Sequence, residues 1–324
     1  LARQTWARGG LQRRYALGVR EGPFAPSLLI QHRCLGGLSH GKLAEFLQGT
    51  SPKILSKASV TLTEEEAKNF NRWSLFPRAF LVQLPAGAIN AWSMWQGPLS
   101  TNVGVVAPSA ADWTLEAVAS TFPWLGVGWG LSMAFCGPWI DRAGPRYSTT
   151  LGGLLFGGGH LLSAVGCYIQ VLPLVWLGWG MMTGIGMGLC YTAPITSILR
   201  WFPDKKGLAT GAAVAPYALG GMFAAPLIEA LRTVFFKPPV YAGAASEVET
   251  KLEAGRQFVK YNGEWHEAVL ALSDDLAKLP CCGEEAPLAE GFYLLGTGDS
   301  GAALTLATLG FTFFTMMSVG GWRM

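Results

Sequence analysis

Gly137-Pro138-Trp139-Ile140-Asp141-Arg142-Ala143-Gly144-Pro145-Arg146 sets the fold through what lies on either side of it. Upstream, residues 117–140 hold no Asp, Glu, Lys or Arg, and downstream 147–199 hold none either. Each stretch is longer than the roughly 20 apolar residues a helix needs to cross a bilayer. The quoted residues therefore read as a charged loop between two membrane spans, with the spacing Gly-x-x-x-Asp-Arg-x-Gly-x-Arg. Gly144 is expected to take a tight turn, and Gly137 to let a neighbouring helix come close. Asp141 is expected to accept hydrogen bonds from helix-terminal N–H groups or from an arginine. Arg142 and Arg146 fix topology and pair with acids.

Further out, 79–111, 207–228 and 300–322 are also free of charge. The 53 residues of 147–199 have room for two spans, turning near Gln170-Val171-Leu172-Pro173. Six helices are expected, at about 79–99, 117–139, 148–169, 173–199, 207–228 and 301–322. A charge at mid-bilayer costs about 2.5–3.5 kcal/mol on insertion scales, so five clean gaps are a strong signal. Charged residues make up 14% of the 324, against about 25% in soluble domains. With 42 Gly, 13 Trp and half of all residues apolar, this excludes a soluble globular enzyme and a disordered chain.

The short loops set the orientation. Arg142 and Arg146 follow the second span, Arg200, Lys205 and Lys206 the fourth, and Arg323 the sixth. The loop after the first span holds Asp112 and Glu116 and no cation. Both termini are thus expected on the positive face. The segment 229–299, with 6 cations and 12 acids, is expected on the other.

Residues 1–62 form a basic arm: its first 60 residues carry nine Lys and Arg against Glu21 and Glu45, the composition of an organellar targeting region. An arm of this kind is expected to be held by a partner. Thr63-Glu64-Glu65-Glu66, followed by Ala67, Phe70 and Trp73, reads as the start of an amphipathic helix over 63–78. Spans one to five occupy 79–231, an acidic insertion 232–299 and the sixth span 300–324. Within the insertion, the apolar spacing from Val248 to Leu276 reads as two amphipathic helices broken at Asn262-Gly263.

The loop pattern resembles the loop signature of the major facilitator superfamily. A second run is more specific. Gly184-Ile185-Gly186-Met187-Gly188-Leu189-Cys190-Tyr191 leads through Pro194 to Arg200-Trp201-Phe202-Pro203-Asp204-Lys205-Lys206-Gly207-Leu208-Ala209-Thr210-Gly211. It resembles the oxalate/formate antiporter and monocarboxylate-transporter-like branch, as do Ala91-Trp92-Ser93-Met94-Trp95 with Pro98-Leu99, and Tyr293 to Gly301. The resemblance covers about 73–235 and 291–324. It implies an all-α membrane fold equivalent to the N-terminal six-helix half of a twelve-span carrier. The insertion between spans five and six is longer than the family's short loop. Asn90 stands where the family often has an aromatic residue. The cations that pair with substrate carboxylates in the antiporters lie in the second half.

By the same resemblance, Trp92, Gln96, Tyr191 and Tyr217 face a central cavity, with Asn90 a further candidate. Their amide, indole and hydroxyl donors suit a small carboxylate. The alternative is that they bond across helices or to backbone, as intramembrane polar groups do. His160 is expected to be neutral and packed, since no carboxylate lies at its depth. The six cysteines follow no metal spacing; Cys136, Cys167 and Cys190 read as apolar fillers, and the adjacent Cys281 and Cys282 as free thiols or a vicinal disulfide. Gly298-Asp299-Ser300-Gly301 copies the string around a serine-protease nucleophile but has no partnered His. No cofactor, metal, nucleic acid or enzymatic activity is expected. Two functions are open. One is a secondary carrier of small mono- or dicarboxylates in an organellar, mitochondrial inner membrane, working with a second half. The other is a transport-inactive accessory subunit of a large inner-membrane respiratory or ATP synthase complex. Membrane lipid is the partner common to both.

Overall fold

The computed structural model describes residues 71–279, 288–322 and 324; the basic arm and the Cys281-Cys282 pair lie outside them. The amphipathic helix expected over 63–78 lies partly outside as well, and its described end is not continuous. Asn71 is extended and its side chain caps the Trp73 N–H, so a new helical start is made there.

The first helical segment comes in three pieces: α1 (Leu75–Gly87), a 3-10 stretch Ala88–Ala91 and α2 (Ser93–Ser100). Pro85 and Pro98 each remove a backbone donor inside it, which breaks the regular ladder. A short α3 (Leu115–Ala119) leads into α4 (Thr121–Tyr168). That helix is two helices joined at Gly144, whose φ of 82° and ψ of 167° no helix contains. The turn expected at Gly144 is therefore present. This backbone region is essentially glycine-only, so Gly144→Ala is expected to cost about 1–3 kcal/mol, read as a lower Tm. Gly137 does not bring a helix close: a Cβ there would meet nothing within 4 Å.

After a tight turn come α5 (Leu172–Val175), a π-helical stretch Trp176–Met182 and α6 (Thr183–Trp201). Then follow a 3-10 turn Pro203–Lys205 and α7 (Lys206–Phe235). The last helix, introduced below, is Ala302–Trp322. Among the described residues, four stretches are long and apolar enough to cross a membrane: 115–168, 172–201, 203–235 and 302–322. The fold is mostly helical and its helices approach at backbone distance. A Cβ on Gly152 would sit 2.8 Å from the Gly186 carbonyl oxygen, and one on Gly186 2.6 Å from that of Gly152. Small residues let helices meet where no hydrophobic force drives them together.

The insertion corrects the expectation of an amphipathic helical hairpin. Its described residues form a five-stranded antiparallel sheet in the order β1-β5-β4-β3-β2. The strands are β1 (Tyr241–Gly243), β2 (Thr250–Glu253), β3 (Arg256–Tyr261), β4 (Glu264–Ala271) and β5 (Gly291–Leu294), with a short α8 (Ser273–Leu276) after β4. Asn262 and Gly263 take φ of 52° and 89°, the conformation of a two-residue hairpin turn. Ala254 and Gly255, at 50° and 77°, make the preceding turn. Lys237 and Asp299 exchange both backbone hydrogen bonds at 2.9 Å, tying the sheet to α7 and to the start of α9 (Ala302–Trp322).

The two ends of the bundle are held differently. At the cation-rich end Arg72 bonds both Asp204 oxygens, at 3.0 and 3.3 Å, and its guanidinium lies 4.7 Å over the Phe202 ring. Asp141 pairs with Arg200 at 3.1 Å, which is the arginine partner expected of it. Arg146 stacks on the Trp322 ring at 3.7 Å rather than on an acid, and Arg142 is exposed. At the opposite end Asn102 donates to the Cys167 carbonyl and the Gln170 side chain and accepts from Ser300 Oγ at 2.6 Å.

Candidate functional site

Four side chains from four helical segments meet on one charge-free face. The Trp129 and Tyr191 rings pack edge to face with centroids 5.6 Å apart. Tyr191 and Tyr217 do the same at 5.2 Å. The Asn90 side chain lies near enough to the Tyr217 hydroxyl to act on it electrostatically. Trp129, Tyr191 and Tyr217 are half-buried and Asn90 is exposed, so the group is open on one side rather than closed into the core.

Local features of the chain place each of them. Asn90 sits in the 3-10 stretch after α1, where the backbone tightens. Gly87 and Gly220 bring α1 against α7: a Cβ on Gly220 would lie 2.6 Å from the Gly87 Cα. The same crossing puts the Tyr217 carbonyl where a Gly87 side chain would begin. Behind Tyr191, the fully buried Gln83 donates its amide to the Tyr191 carbonyl at 3.0 Å. Pro194, three residues on, lacks the N–H that would bond the Cys190 carbonyl, which loosens the helix at this turn. The Gln83 carbonyl oxygen and the Trp129 indole nitrogen are both buried without a partner.

The structure brings together Asn90, Tyr191 and Tyr217 of the residues the sequence singled out. Gln96 lies further along α2, half-buried, outside this chain of contacts. Trp92 is turned into the core, its ring 3.9 Å from that of Trp179. His160 is in that core too, stacked near Phe156 and Phe313, with Nδ1 2.9 Å from the Phe156 carbonyl. A carbonyl only accepts, so Nδ1 carries a proton. Trp129 was missed by the sequence reading. The available signal was an indole donor in mid-span, which needs a partner when buried.

Chemically, the face offers two hydroxyls and an amide beside three aromatic walls. That suits a small planar acceptor, held by hydrogen bonds and ring contact. No group of three or more His, Cys, Asp or Glu that could hold a metal occurs among the described residues. Ser300 is engaged with Asn102, and Asp299 accepts from the Gly301 N–H at 2.8 Å, so both act in holding the loop.

The profile of the Major Facilitator Superfamily matches residues 78–245, just over half of the chain. An uncharacterised transporter of that type from Escherichia coli, YhjX, is 28% identical over 151 residues, 47% of this chain and 35% of the relative. The oxalate:formate antiporter of Oxalobacter formigenes is 29% identical over 165 residues, 51% and 37% respectively. Apicoplast pyruvate carrier 1 of Toxoplasma gondii is 32% identical over 231 residues, 67% and 36%. The chain spans about a third of the length of these relatives.

Proposed function

The chain belongs to the Major Facilitator Superfamily, and from that premise we propose that it carries a small monocarboxylate or dicarboxylate across an organellar membrane. The face formed by Asn90, Trp129, Tyr191 and Tyr217 is the observation that carries this reading. Carriers of this superfamily bind near the bilayer midplane between two repeated halves. We read the described helices as six crossings forming one such half, the break at Gly144 separating the second from the third. The face then lines one side of a binding site that a second half closes and supplies with a cation. Two relatives with names that specify oxalate and formate, or pyruvate, support the substrate class. The basic composition of residues 1–62 and a relative named for the apicoplast support an organelle, a mitochondrion being the first to examine. Both termini lie on its positive, matrix side.

The test is uptake of labelled pyruvate, formate and oxalate by proteoliposomes of the full protein. Tyr217→Phe removes the hydroxyl beside Asn90 and is expected to lower the transport rate about tenfold, the worth of one hydrogen bond to the substrate of roughly 1–1.5 kcal/mol. Abundance and Tm should hold. Unchanged uptake in this variant and in Tyr191→Phe would remove the face from the mechanism. Absent uptake by the intact protein, with stable co-purification of respiratory or ATP synthase subunits, would favour the accessory-subunit reading, for which the sheet offers a surface.

A further inference from the structure

Toward the cation-rich end, α1 and α7 diverge and leave a groove of about 700 Å³. Trp73, Phe76, Phe80 and Leu81 wall it on one side, Leu208 and Ala212 on the other. The chain does not fill it: Trp73, Phe80 and Leu208 are 49%, 38% and 53% exposed. A void there would forfeit dispersion contacts on every wall, so something of hydrocarbon character belongs in it. From Leu208 to Pro216, which also lines the groove, α7 advances about 12 Å, close to the roughly 15 Å depth of one leaflet's hydrocarbon.

The mouth is charged. Lys205 and Lys206 stand at the start of α7, directly ahead of Leu208 at this end of the groove, and both are exposed. Asp204 is the adjacent acid, and it forms two short bonds with Arg72. Lys205 also acts on Asp204 through space. Taken together, Arg72, Lys205 and Lys206 against one carboxylate leave a surplus of two positive charges. Trp73 at the rim has the amphipathic ring that settles at headgroup level. We propose that the groove binds an anionic phospholipid, one acyl chain lying between α1 and α7 and the phosphate on Lys205 and Lys206. The assignment needs only a membrane setting and is independent of the transport reading.

Native mass spectrometry of the full chain from micelles holding equal phosphatidylglycerol and phosphatidylcholine tests it. One phosphatidylglycerol should be retained per chain, in preference to phosphatidylcholine. Lys205→Gln with Lys206→Gln changes only surface side chains and should lower that retention about thirtyfold. Ala212→Trp fills the groove with both lysines intact and should lower it as well. Equal retention of the two lipids would overturn the proposal, as would phosphatidylglycerol retention unaffected by the double lysine variant. A lipid-free mass of two chains that Ala212→Trp dissociates would overturn it too, making the groove a protein interface.

Discussion

Gly87→Val is expected to remove both the folded yield of the protein and its uptake activity. The isopropyl group would begin on the Tyr217 carbonyl oxygen, with the Gly220 Cα 3.0 Å away. Both obstacles are backbone of α7, so no rotamer change relieves the clash and the helices must separate. Overpacking in a core that can adjust costs about 1–3 kcal/mol, and here the upper end or more is expected. The functional loss has the same cause. Asn90 follows Gly87 by three residues, and its Cβ lies 3.0 Å from where a Gly221 side chain would start. Parting α1 from α7 therefore moves Asn90 away from Tyr217 and opens the face. Gly211→Val is the control, because a Cβ there meets nothing within 4 Å; it should change stability by less than about 1 kcal/mol. Thermal unfolding and size-exclusion profiles of the two variants decide the matter. Equal tolerance of both would show that the crossing does not organise the face.

The spans were legible because a bilayer writes its constraint into composition. The expected 173–199 corresponds to 172–201 in the structure, and 301–322 to Ala302–Trp322. The sheet was not legible, for a reason that lies in its length scale. Leu252, Phe258 and Val259 fit a helical period over a short window. What makes them strands is pairing across hairpins, Leu252 with Gln257 and Val259 with His266, and a sheet closed by a distant strand that pairs Val269 with Tyr293. The local clue was Asn262-Gly263, which breaks a helix but equally closes a hairpin, and the second reading was the right one. Of the residues singled out by resemblance, Asn90, Tyr191 and Tyr217 lie together in the structure, and Trp92 lies in the core. The 3-10 stretch Ala88–Ala91 changes the angular step between residues, so facing past it does not follow a 100° rotation. Asn90 turns outward while Trp92 enters the core beside Trp179.

Asp112→Ala is expected to loosen the sheet from the bundle without unfolding the helices. The Asp112 carboxylate accepts from the Val103 N–H at 2.7 Å and, through its other oxygen, from the Gly104 and Ser109 N–H groups and the Ser109 hydroxyl at 2.9–3.0 Å. These bonds hold Val105 at a φ of 61°, a conformation that costs a β-branched residue about 1–2 kcal/mol. They also deliver Val106 and Ala107 into the core formed by Val269, Ala271 and Tyr293. Alanine leaves three part-buried N–H groups unpaired, worth about 3 kcal/mol in total, and the strained turn has nothing left to oppose its relaxation. Asp112→Asn should rescue little. Its amide nitrogen is a donor placed against the donors that one carboxylate oxygen now serves. Limited proteolysis reads the effect: faster cleavage within 241–271 in both variants, with the α4–α6 region still protected. Wild-type resistance in Asp112→Asn would show that shape, not acceptor capacity, holds the loop. Cleavage spreading through α4 and α6 would show that the sheet and the bundle unfold together rather than as separable units.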